Sequence, residues 1–388
     1  MREAEIKRHL VQDIIPFWKG MQDSSYGGFY GELDYHLKLN KNGCKGGLLN
    51  SRILWFFSNA YAVTTDVECL RCADHAYEFL KTAFYDKEFG GIYWSVTYDG
   101  QPMDDTKHTY NQAYAIYGLA SYYNVTENEE ALRLAYELVE LVEHSCSDMG
   151  GYLETFDRRF EQISNEKLSE NGVMTSRTMN TLLHIFEAYT ELYRVDGNEL
   201  IADKMKRILD IFATKVYNPK KRRLEVFFDE QMNPLIDLNS YGHDIEAAWL
   251  LDRGCELLAN DVYRAKISTI TKNLTSRILE IAYDDTSLYN ECCNGELDTR
   301  KVWWVQAEAI VGFLNGYQKT GGIKFKYAAS NTWDFIKNYI IDKRPGSEWF
   351  SEVDRYGKPH PKEIVGLWKD PYHNGRMCFE VIKRNVYF

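Results

Sequence analysis

No run of about 18 apolar residues occurs anywhere in the 388-residue chain, so no segment reads as a membrane-spanning helix. The first ten residues, MREAEIKRHL, are charged and lack the apolar stretch of a secretory leader, which makes a cytoplasmic location the expectation. Positive charge is in deficit. With 46 Lys and Arg against 57 Asp and Glu, the formal charge is −11. Nucleic acids and anionic membranes demand a basic face, so neither is an expected partner; a neutral or cationic small molecule fits better. Prolines number only 8 and no Gly/Ser/Pro-rich linker interrupts the chain, which favours one domain over residues 1–388. Neither a glycine-rich nucleotide loop nor a close-spaced H-x-x-x-H signature is present, so no cofactor and no metal are expected. The 8 cysteines are scattered, and a chain of this size needs no disulfide staples. Cys69 and Cys72 form a C-x-x-C, but within a helical pattern and without a second pair, so helix-packing thiols are the better reading.

Aromatic residues, by contrast, are abundant: 14% of the chain, with 28 tyrosines and 9 tryptophans. Such side chains join an apolar face to a polar edge and serve both mixed cores and sugar-stacking platforms. Their placement is periodic. Tyr26-Gly-Gly-Phe-Tyr30, Phe89-Gly-Gly-Ile-Tyr93 and Met149-Gly-Gly-Tyr152 set glycine pairs at 27, 90 and 150, intervals of 63 and 60 residues. Segments near Arg222–Phe227, Ser287–Glu291 and Ser347–Ser351 continue the rhythm without the glycines, giving six units. These segments read as small hairpins or irregular loops. Between them run stretches of 3.6-residue periodicity, such as NSRILWFFSNAY and VWWVQAEAIVGFLNGY. Each unit has room for two helices of about 15 residues. Six helical hairpins closing into a ring predict an all-α fold, an (α/α)6 barrel with short β-hairpins or loops at one end; an open solenoid is the alternative.

In each unit a helix opens just after the loop and carries polar or aromatic residues near its start: Arg52; Tyr110; Asn180 and His184; His243 and Glu246; Trp304 and Glu308; His373. Spacings of three or four put each pair on one helix face. Parallel inward-facing starts would bring all of them to one mouth. For any one histidine a hydrogen-bonded core role is the simpler reading, but recurrence at one place in several repeats points to function. Three chemistries use such a set. A metal could take His184, His243, His373 and Glu246; glycoside hydrolysis could use Glu246 and Glu308 as its carboxylate pair; and imidazoles suit proton transfer next to a carbonyl at neutral pH. A non-catalytic sugar-binding scaffold remains a fourth possibility. The residues alone leave these open.

The stretches GGFYGELD, LLNSRILWFFSNAY, SRTMNTLLHIFEAY, YGHDIEAAWLL, VWWVQAEA and above all GLWKDPYHNGRM resemble the N-acylglucosamine 2-epimerase superfamily, in particular its cellobiose 2-epimerase branch, over essentially the full length. The resemblance implies an (α/α)6 barrel and a cofactor-independent isomerase that interconverts glucose and mannose at the reducing end of β-1,4-linked disaccharides such as cellobiose or lactose. It also implies roles. His243 and His373 would be the acid/base pair at C2, His184 a helper, and Arg52 the group that steadies the enediolate. Tyr110, Asn180, Glu246 and Glu308 would hold sugar hydroxyls, with Trp249, Trp304 and Trp368 as apolar walls or platforms. N-Acetylglucosamine 2-epimerases and mannose isomerases share the superfamily and are the alternative activities. The expected partner is the disaccharide alone, bound by a monomer.

Overall fold

The computed structural model describes residues 2–169, 171–386 and 388. Its local grammar repeats. Five inner helices, Gly47–Thr64, Thr109–Thr126, Met179–Asp196, Tyr241–Leu258 and Trp303–Thr320, each end on a left-handed residue: Thr65, Glu127, Gly197, Ala259 and Gly321. The next residue caps the following outer helix. Asp66, Asn128, Asn198 and Asn260 accept from backbone N–H groups of the first turn, satisfying donors that helix starts leave unpaired. A two-residue link of this kind reverses the chain and lays the outer helix antiparallel on the inner one. The outer helices are Val67–Phe79, Glu129–Leu141, Glu199–Ile211, Asp261–Ile281 and Ile323–Phe335, with the N-terminal segment 2–20 as the sixth.

The sixth inner helix is Tyr372–Arg384. Each inner helix packs on the next, and the sixth returns to the first, Gly47–Thr64, so the ring is closed and the fold is an (α/α)6 barrel. Short antiparallel strands repeat the closure at one rim: residues 45–46 pair with 95–96, 107–108 with 155–156, 177–178 with 227–228, 238–240 with 291–293, and 301–302 with 352–353. Leu33 bridges Val365, joining the first unit to the last. That contact excludes the open solenoid. The aromatic segments of the repeat are tight antiparallel turns after each outer helix, as at Gln22–Phe29, Tyr85–Ile92 and Ile341–Trp349. Gly28 shows why glycine stands there: φ is +65°, and a Cβ would lie 2.4 Å from the Phe79 ring.

Below the rim, aromatic side chains plug the bore. Trp55 lies 5.2 Å from Tyr372, 5.4 Å from Tyr117 and 5.7 Å from Phe379, centroid to centroid, all buried. The barrel is therefore a cup, open where the inner helices begin. Cys69 and Cys72 are buried in the helix Val67–Phe79, and burial pushes their thiols up to about 12 and about 11, unsuited to metal or redox work. Among the described residues no helix is long and apolar enough to cross a membrane.

Candidate active site

The cup holds a cavity of about 390 Å³. Arg52, Tyr110, Asn180, His184, His243, Glu246, Trp304, Trp368 and His373 all line it, although they come from six different units. A simple register places them. Arg52, His184, Glu246 and Glu308 are each the sixth residue of their inner helix, and Tyr110, Asn180, Trp304 and His373 the second. His243 is a third residue, because Gly242 takes the second place with the Trp304 ring against it.

The three histidines each tie down Nδ1. His373 Nδ1 lies 2.8 Å from Glu308 Oε1, His184 Nδ1 2.9 Å from Glu187 Oε2, and His243 Nδ1 2.7 Å from Ser240 Oγ. Nε2 is then the nitrogen left for other work. His243 and His373 meet the same ring, since Trp304 sits 4.8 Å from His243 and 5.3 Å from His373. Burial pushes His243 down to about 3 and His184 to about 4, and drives His373 well below the ordinary imidazole range, with Arg376 and Arg52 adding to the last. In all three, burial favours the neutral form of the imidazole. Arg52 donates to Asp370 Oδ2 at 2.8 Å and to the Tyr110 hydroxyl at 2.9 Å, and packs over the Tyr114 ring at 4.1 Å. Burial raises Glu246 to about 8, with Arg376 opposing and Glu308 and Glu187 adding. Glu246 Oε2 and Asn180 Oδ1 are buried with no hydrogen-bond partner among the described residues, which leaves two acceptors free on the cavity wall.

Two sequence-predicted residues lie elsewhere. Trp249 does not form a wall: three residues beyond Glu246, or about 4.5 Å deeper along the helix, it is fully buried and donates Nε1–H to Glu308 Oε2 at 3.0 Å. Glu308 does not line the cavity either: it is fully buried, with His373, Trp249 and Arg376 against its oxygens. It orients His373 instead. Sequence reasoning missed Tyr114, Asp370, Tyr372, Glu187 and Arg376. Tyr114 was within reach: it is the sixth residue of its helix, the register of Arg52 and His184.

Glu246, Glu308 and His373 offer ligand atoms within 4.8 Å of one another. The Arg376 guanidinium already supplies the cation there, bonded to Glu246 Oε1 and, at 2.7 Å, to Glu308 Oε1. The same contacts tell against hydrolysis, since the two carboxylates share one guanidinium nitrogen rather than flanking a cleft.

Residues 28–375 match the profile of the N-acylglucosamine 2-epimerase (GlcNAc 2-epimerase) family. The chain belongs to this family. Among its relatives, the cellobiose 2-epimerase of Ruminococcus albus is 50% identical over 387 residues, covering 100% of both chains. The crystal structure of a sugar epimerase from a ruminal bacterium superposes with a TM-score of 0.99 at 50% identity over 100% of both chains. Cellobiose 2-epimerase from Bacillus thermoamylovorans gives 0.96 at 43% identity, covering 98% of this chain and 99% of that one.

Proposed function

We propose that the chain is a cellobiose 2-epimerase, inverting C2 of the reducing-end glucose of β-1,4-linked disaccharides. The observation that carries this is the pair of imidazoles, His243 and His373, that line one cavity and both meet the Trp304 ring. A histidine moves a proton between ring oxygen and hydroxyl to open the sugar. One imidazole then takes the C2 proton, now acidic beside the aldehyde, and leaves an enediolate. Arg52, held charged by Asp370, stabilises its oxygens. Rotation about C2–C3 presents the other face, and the second imidazole, carrying a proton taken from solvent at Nε2, delivers it to C2; the pair ends with its one extra proton on the opposite histidine. His184 assists, Tyr110, Asn180 and Glu246 hold hydroxyls, and Trp368, 41% exposed at the rim, carries the second sugar. For either epimer one imidazole begins neutral as the base and its partner protonated as the acid, and the roles exchange in the reverse direction.

Incubation with cellobiose in D₂O tests the reading. The expected result is deuterium at C2 and a mannose-ended disaccharide, with the glycosidic bond intact. Release of glucose would support a hydrolase, and turnover of mannose or N-acetylglucosamine in place of cellobiose would move the substrate elsewhere in the family.

A further inference from the structure

Beneath the cavity floor one guanidinium joins three carboxylates from three other inner helices. Arg376 is 1% exposed. Its Nη1 donates to Glu187 Oε1 at 2.5 Å, and its Nη2 donates to Glu308 Oε1 at 2.7 Å and to Glu246 Oε1. Two of these carboxylates turn their oxygens on to histidines: Glu187 Oε2 to His184 Nδ1, Glu308 Oε1 to His373 Nδ1. The third, Glu246, lines the cavity and stands 3.9 Å from His184 Nε2.

We infer that Arg376 is a positioning residue for two imidazoles at once, aiming His184 through Glu187 and His373 through Glu308 while it holds Glu246 at the wall. Three buried acidic groups crowd this space, and the guanidinium supplies the cation and the donors that hold their oxygens together. A lysine would bring the charge but not the planar fork that meets all three. The Tyr372 ring 4.2 Å from the guanidinium, and Trp249 4.9 Å from it, keep its plane in place. His243, tied to the neutral Ser240 hydroxyl, lies outside this network. The inference rests on the epimerase reading, so the unmodified chain is assayed in parallel. If that chain leaves cellobiose unchanged, the epimerase reading fails first.

Given an active wild type, Arg376→Lys is expected to lower kcat on cellobiose about 10–100-fold, with KM kept within about twofold. Glu308→Gln is expected to act on the same step, so the double variant loses far less than the product of the two single losses. If Arg376→Lys does not fold, Arg376→Gln with Glu187→Gln, which removes one charge of each sign, is measured in its place and should show the same fall in kcat at retained KM. A folded variant with wild-type kcat overturns the proposal, as do losses that multiply in the cycle.

Discussion

Four of the six inner helices begin two residues after a buried cation, and the two that carry His243 and His373 do not. Lys45 reaches Asp23 at 2.7 Å, Lys107 reaches Asp86 at 3.1 Å, Arg177 reaches Asp148 at 2.5 Å, and Lys301 reaches Asp284 at 2.6 Å. In each case the partner lies in the tight aromatic turn of the same unit, so the pair fastens the helix start to the turn before it. The equivalent position is Asn239 before the helix of His243, and Asp370 before that of His373. Asn239 donates to Asp244 at 2.8 Å, while its neighbour Ser240 meets the imidazole. Asp370 accepts from Arg52 across the seam where the ring closes. The difference separates ways of fastening a helix start: four units use a cation two residues before it, the sixth uses Lys369 one residue earlier, reaching Glu348 in its turn at 2.7 Å, and the fourth uses the neutral Asn239.

Disabling the two exceptional units should have the largest effect. His243→Asn and His373→Asn are each expected to lower kcat about 10²–10⁴-fold or more, with the thermal unfolding transition little changed. Steady-state turnover of cellobiose, followed by chromatography, measures this. Near-wild-type turnover by either variant removes that residue from the proton-transfer pair.

The four regular units should show the opposite signature. Lys45→Met leaves Asp23, 1% exposed, as an unpaired buried carboxylate, and should cost about 3–5 kcal/mol in urea unfolding. With enough stability left to stay folded, its kcat should remain close to wild type. Activity that collapses while the fold persists would mean that fastening and chemistry cannot be assigned to separate units.

The contrast also explains what the sequence displayed and what it hid. The sixfold rhythm was legible because each turn repeats glycine or aromatic chemistry at intervals near sixty, and the inner helices because their apolar residues follow the helical period. Most of the cavity wall was legible as well, since second and sixth helix residues recur. Partnerships across the ring were not. Asp370 meets Arg52 from 318 positions away, and Arg376 meets Glu187 from 189, so nothing local marks either pair. Glu308 shares the register of Glu246 and was read as another sugar ligand; only the folded neighbours, Trp249 below it and His373 above, show that its oxygens are occupied.

A rim residue sharpens the comparison at smaller scale. Trp368 leans on Trp94 at 5.5 Å and Tyr110 at 5.9 Å and stands apart from both imidazoles. Trp368→Ala should raise KM for cellobiose about tenfold, the equivalent of roughly 1.4 kcal/mol of stacking, and leave kcat nearly unchanged. An unaltered KM would remove Trp368 as the platform for the second sugar.

The smallest expected effect concerns acid. A base works only while neutral, and burial has moved His243 from about 6.5 down to about 3. The sign follows for the imidazole acting as base: lowering the folded value extends its neutral range to lower pH, and its action as base is lost as pH falls through that lower value. The profile of kcat/KM for cellobiose should therefore cross pH 6.5 without a break attributable to imidazole protonation. The same direction holds for His373, which burial, Arg376 and Arg52 all push down. An acid limb centred near 6.5 would place the essential histidine in water.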